Sequence, residues 1–253
     1  LAAQKDLSRK GAEAMRAGKF AEAEAVYRLL ANQQPKEPGW HANLGLALHS
    51  QGKYQDAIAA LQKSLSMRFV PGLAAVLGID YLKAGQPCEA IEPLSRSDQA
   101  GPLADAYFGC KRYREAGAAY EKLGNRRLAA NAYWNAREYA EAKRLYAAIE
   151  RDHAGDPEFQ YEYGDTLLRE DGAEAALPYL QRAVSVPSGR AALGKAYAEL
   201  GRYEEALPHL EAGAVIDPDL LLPLSRAYKA TGRAAEADRA LKSYRERVSA
   251  GQN

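Results

Sequence analysis

The stretch at 187–218, PSGRAALGKAYAELGRYEEALPHLEAGAVIDP, constrains the chain more than any other. Leu193, Gly194 and Tyr197 fall on one helical stripe, and Tyr203, Ala206, Leu210 and Gly213 on a second. Both use the i, i+3, i+4, i+7 spacing of faces turned toward other helices. Gly201 stands between the stripes, where a residue without Cβ enters the left-handed conformation that ends a helix at no steric cost. Pro218 closes the second helix, because it lacks an amide hydrogen and restricts the residue before it. Gly194 and Ala206 are small where the two helices cross, so the backbones can approach, with Tyr197, Tyr203 and Leu210 filling the space on either side. Such a hairpin cannot bury its own apolar face and is stable only when stacked on others.

The chain supplies the others. Gly18, Gly52 and Gly85 mark the same turn, followed by Phe20-x-x-Ala23, Tyr54-x-x-Ala57 and Pro87-x-x-Ala90. Tyr113-x-x-Ala116, Tyr139-x-x-Ala142, Ala173-x-x-Ala176 and Ala234-x-x-Ala237 extend the series. The pattern resembles the tetratricopeptide repeat, a helix–turn–helix unit recurring every ~34 residues. The resemblance covers nearly the whole chain and implies an all-α fold, a right-handed α-solenoid of about eight repeats. They are placed at approximately 4–37, 38–70, 71–100, 101–124, 125–155, 156–186, 187–217 and 218–250 of a single superhelix spanning 1–253. Two units are short. Tyr113 and Tyr139 stand about 26 residues after the equivalent positions before them, and Lys111 and Arg137 occupy the place of the turn glycine. Pro87 is tolerated at a helix start, whereas Pro93 is expected to shorten or kink its helix, with residues 95–99 as the resulting loop. The charged final helix suits a terminal repeat with nothing stacked outside it.

Of 253 residues, 47% are hydrophobic and 26% charged, enough for a sizeable core and against disorder. The formal charge of +1 sets up no field that draws the chain to nucleic acid or an anionic membrane. No apolar run approaches the ~18 residues of a membrane-spanning helix, so direct membrane insertion is not expected. The start carries no signal-peptide pattern and is Leu1 rather than Met, which leaves open a mature protein, a trimmed chain or a piece of a longer one. The alanine-rich repeats suggest a bacterial source, cytoplasmic or periplasmic.

Cys88 starts the second helix of one unit and Cys110 ends the first helix of the next, on the same edge of the stack. Neither has metal-site spacing. They read as two independent thiols, since Cα atoms more than ~7 Å apart cannot be bridged without backbone movement. A bridge would instead favour an oxidising compartment.

Phosphate-loop, dinucleotide, zinc-protease and nucleophile-elbow motifs are absent. His41, His49, His153 and His209 are scattered, and acid pairs such as Glu204 with Glu205 read as solvated helix faces. No catalytic residue, metal site or cofactor is therefore expected, and the chain does not read as an enzyme. In the family it resembles, the first helix of each repeat lines a concave groove that receives a peptide or a partner's helix. Some members clamp a C-terminal carboxylate, but here Ser8, Ala12, Gly72 and Val76 occupy clamp positions and only Asn43 matches. The groove is expected to display Asn43, Leu46, His49, Ile79, Leu82, Asp105, Phe108, Asn131, Trp134, Asn135, Tyr161, Asp165 and Leu168, with Lys195, Arg226 and Lys229 making a basic end. Exposed aromatics beside polar groups are what recognition hot spots use. Packing between short helices is the other role open to Phe108 and Trp134. The expected function is an adaptor that binds a protein or peptide. The alternatives are the repeat portion of a larger bacterial envelope or secretion protein, and a self-associating scaffold.

Overall fold

The computed structural model describes residues 2–250, and every regular element within them is a helix. The helices pair in sequence. One compact unit, ending at Asn125, holds α1 (Ala2–Arg16) with α2 (Phe20–Gln33), α3 (Pro38–Ser50) with α4 (Tyr54–Met67), α5 (Pro71–Lys83) with α6 (Pro87–Ser95), and α7 (Ala100–Gly109) with α8 (Tyr113–Lys122). The other, beginning at Arg126, holds α9 (Arg126–Asn135) with α10 (Tyr139–Ile149), α11 (Pro157–Glu170) with α12 (Ala173–Arg182), α13 (Pro187–Glu199) with α14 (Tyr203–Ala214), and α15 (Leu221–Ala230) with α16 (Ala234–Ala250). Within each unit a helix packs on its neighbours in sequence. The first helices also meet: α3 touches α5 and α5 touches α7 in one unit, α11 touches α13 and α13 touches α15 in the other. Within each unit these first helices therefore share a face.

The small-residue series explains the pairing. Ala23, Ala57, Ala90, Ala116, Ala142, Ala176 and Ala206 are all fully buried. A Cβ added to Gly78 would lie 2.3 Å from the Leu94 side chain, and one on Gly45 2.6 Å from Leu61, so the backbones approach as the sequence anticipates. In the short hairpins the residues at the same sequence offset are Ala104 with Tyr120 and Ala130 with Tyr146, all four buried. α7, α8 and α9 have ten residues each and α10 eleven, against 13 in α3 and 14 in α4.

The turns in the short hairpins keep the usual geometry without glycine. Lys111 and Arg137 both have φ of 61°, the left-handed region. The amides that follow, of Arg112 and Glu138, donate back to the carbonyls of Tyr107 and Tyr133 at 2.8 and 2.9 Å, closing the helix ends in a Schellman motif. Pro93 lies inside α6, which stops two residues later at Ser95 after only nine residues.

The cysteines are not independent thiols. Cys88 and Cys110 form a disulfide with Cα atoms 4.8 Å apart. A Cβ on Gly109 would fall 2.8 Å from Pro87 Cβ. Glycine at the end of α7 thus lets it close on the start of α6, bringing the next residues within bridging distance. This pins the third hairpin to the fourth.

Candidate functional site

On the shared face of the first unit, Asn43, Leu46 and His49 of α3, Ile79 and Leu82 of α5, and Phe108 of α7 are half-buried, while Asp105 is exposed. Several are already engaged. Phe108 meets the Tyr113 ring edge-on at 5.3 Å and lies 6.5 Å from Tyr120. The Tyr120 hydroxyl donates to Asp105 at 2.7 Å. Leu82 packs against the core cluster around Leu77 and Leu94. His49 Nδ1 lies 2.5 Å from Oδ1 of Asp80, a fully buried carboxylate whose second oxygen has no partner. Burial pushes the Asp80 carboxyl above its ordinary range, and the His49 contact partly offsets this. Sequence reasoning missed Asp80, although an acid inside the apolar run ending at Leu82 was a signal.

On the second unit's face, Asn131, Trp134 and Asn135 of α9 and Tyr161 and Leu168 of α11 are half-buried, and Asp165 is buried. Asn135 donates to the carbonyl of Asn131 at 2.8 Å and to its side-chain oxygen at 3.3 Å, so this pair is used largely within its own helix. Trp134, Asp165 and Arg169 form a lock. The indole nitrogen of Trp134 and Nε of Arg169 each donate to Oδ2 of Asp165 at 2.8 Å. The Arg169 guanidinium also lies 5.5 Å from the Trp134 ring and 5.3 Å from that of Tyr139. Two charge-assisted hydrogen bonds thus satisfy a carboxylate that is costly to bury alone, while the two cation–π contacts hold the Arg169 guanidinium in place. Burial pushes the Tyr161 hydroxyl up, and the nearby Asp165 charge adds to the shift.

Trp134, Tyr161, Asp165 and Arg169 form one wall of a recess of about 170 Å³, which Asn131, Asn135 and Leu168 do not line. The floor and far wall come from Pro187, Ser188, Ala191 and Ala192 of α13, with Gly213, Ile216 and Asp217 at the end of α14 and the turn after it. Ser188, Gly213 and Ile216 escaped the sequence reading, which drew the face from the middles of first helices. The available signal was Val215-Ile216, an apolar pair just before the helix-stopping Asp217-Pro218. Lys195 also lines the recess, with Nζ 3.6 Å from Asp217. A second recess of about 300 Å³ follows along the same face, walled by Lys195, Glu199, Tyr203, Pro223 and Arg226. Burial pushes the Glu199 carboxyl up, against the pull of Lys195.

Among the described residues no three His, Cys, Asp or Glu side chains cluster as metal ligands, and no helix is long and apolar enough to cross a membrane. Stacked helical hairpins whose first helices share a recessed face define a helical-repeat scaffold. A model of the tetratricopeptide repeat matches residues 9–74 and 127–192, and a second such model matches 190–224. The chain belongs to the tetratricopeptide repeat family. No curated protein sequence matches it. Among solved structures it is similar to Naa15/Naa10 bound to HypK-THB, with a TM-score of 0.58 and 17% identity over 89% of this chain and 39% of that one. It is also similar to the APC/C hetero-tetramer Cut9–Hcn1, at a TM-score of 0.53 and 17% identity over 94% of this chain and 52% of that one. The chain thus spans about half or less of either. YrrB, described as a TPR protein with an unusual peptide-binding site, has a TM-score of 0.41 and 20% identity over 86% of this chain and 90% of its own. At these identities the likeness is one of fold.

Proposed function

We propose that the chain is a non-enzymatic scaffold that receives a segment of a partner protein on its first-helix face. In the second unit the receiving point is the recess beside Trp134. The observation that carries this reading is the recess itself: Trp134 and Tyr161 on one wall, small residues of α13 facing them, and Asp165, Arg169, Ser188, Lys195 and Asp217 as polar groups around them. Concave sites with convergent polar groups are where ligands bind, and the family's fold is generally a protein-interaction module. The Cys88–Cys110 bridge supports an oxidising compartment, the periplasm rather than the cytoplasm of a bacterium.

A photo-crosslinking residue at Ser188, compared with one at the exposed Glu174 of the second helix α12, tests the assignment in cells of the source organism. Discrete adducts at Ser188 that disappear when Ile216→Asp is added are the expected result. The same adducts at both positions, or adducts indifferent to Ile216→Asp, would remove the recess as the receiving point.

A further inference from the structure

The two recesses of the second unit say what the bound segment looks like. An engineered cavity of about 150 Å³ takes up benzene. The recess beside Trp134, at about 170 Å³, therefore has room for one side chain of leucine to phenylalanine size. Its lip is apolar and unsheltered. Val215 and Ile216 are 81% and 74% exposed, whereas the next most exposed large apolar side chain among the described residues, Leu123, reaches 48%. Two β-branched residues gain nothing from a solvated turn, and a covering chain would bury both.

Charge describes what lies next to that side chain. Lys195 lines both recesses, so they form one track from α13 to α15. Arg226 and Lys229, about one turn apart on α15, are exposed, and among the described residues neither has a carboxylate partner. Lys195 is shared between a long contact with Asp217 and the pull of Glu199, the one acid on the wall of the second recess, so the uncommitted cations are Arg226 and Lys229. Arg169, at the other end, is already committed to Asp165. The open charge on this track is therefore positive.

We infer that the second unit binds an extended peptide that places one aliphatic or phenyl side chain in the recess at Trp134 and Ile216, with acidic residues beside it over Lys195, Arg226 and Lys229. This rests on the scaffold reading above and gives it a ligand chemistry. An extended chain carries alternate side chains to one face, so a single anchor with charged neighbours suits a strand-like segment, whereas a helix would offer a stripe of anchors.

The test is selection of random octapeptides displayed on phage against the full chain, the Ile216→Asp variant and the Arg226→Glu, Lys229→Glu double variant. The expected winners share one Leu, Ile, Met or Phe next to two or more Asp or Glu. A synthesised winner should bind each variant at least tenfold more weakly. Thermal unfolding should be unchanged, because all three side chains are exposed. Winners without an acidic preference, or winners that bind all three proteins alike, overturn this inference while leaving the scaffold reading in place. Failure of any sequence to enrich on the full chain removes both.

Discussion

The two short hairpins face the same problem and meet it by different chemistry. Helices of ten or eleven residues bury less than the 13 and 14 of α3 and α4, so α7–α8 and α9–α10 both gain from something beyond apolar packing. The hairpin α7–α8 is bonded covalently to the one before it through Cys88–Cys110. The hairpin α9–α10 is joined to the one after it by charge. Arg127 reaches Asp156 at 2.6 Å and Glu162 at 3.1 Å, and the Trp134–Asp165–Arg169 lock sits on the same helices. The first device depends on redox state and ignores salt. The second does the reverse. The two short hairpins thus carry two different environmental sensitivities.

The largest expected effect comes from opening the bridge. Cys88→Ser with Cys110→Ser, or reduction, frees a loop with a sequence separation of 22 and should lower stability by about 3 kcal/mol. Hydrogen exchange should place the loss around α6 and α7 and leave α9–α11 unchanged. A uniform loss across both units would refute the contrast.

Next is Arg127→Met, which leaves the largely buried Glu162 without its cation. A loss of about 2 kcal/mol is expected, below the range for fully buried pairs because Arg127 is 31% exposed. Wild-type protein should also lose stability in this region when salt is raised from low to molar, while the bridged region does not. A salt-independent second unit would show that packing, not charge, holds α9 to α11.

The pH response should differ in sign between Glu24 of the first unit and Glu162 of the second. Glu24 in α2 accepts from Lys53 and Arg28, which hold its carboxyl at about 2, below the ordinary 4.5. Its contribution is present above pH 4.5 and is lost as pH falls toward 2. Glu162 is shifted the other way by burial, so its contribution is fullest below pH 4.5 and declines as pH rises through its folded-state value. Acid should therefore weaken the first unit at Glu24, and Glu24→Gln should flatten that dependence. An unchanged acid limb in the variant would assign it to other carboxylates.

The smallest effect is one the two short hairpins should share. Lys111→Gly and Arg137→Gly each relieve a left-handed L-residue, worth about 1–2 kcal/mol, against about 0.5–1 kcal/mol of added chain entropy. A gain of about 0.5 kcal/mol in either place, read by urea unfolding, is expected. A loss would mean that the long side chains contribute more at these turns than their backbone strain costs.

How much of this was legible in the sequence depends on distance along the chain. The hairpins were, because the left-handed turns, the buried alanines and the Gly–Leu crossings all lie within one repeat and recur. The shortening was as well, since Tyr113 and Tyr139 carry it in their spacing. The disulfide was not: whether two thiols meet is set by how closely Gly109 approaches Pro87, a distance between repeats. The pairing of Asn131 with Asn135 could have been anticipated from their i, i+4 spacing, which lets them satisfy each other on one helix. The recess was half visible. Trp134, Tyr161 and Asp165 lie on first helices, whereas Ile216 enters from a turn whose position depends on the whole of α14.

The lengths of the short helices have a rotational consequence. Going from 13 and 14 residues in α3 and α4 to ten and ten in α7 and α8 removes 13 − 10 = 3 and 14 − 10 = 4 residues. Each loss is about one 3.6-residue turn. Trimming by a whole revolution returns every remaining side chain to its former azimuth, while trimming by two residues would swing the greasy stripe about 200° into water. Whole-turn trimming thus keeps α7 and α8 in phase with α3 and α4, although α14, at 12 residues, shows that the step is not compulsory.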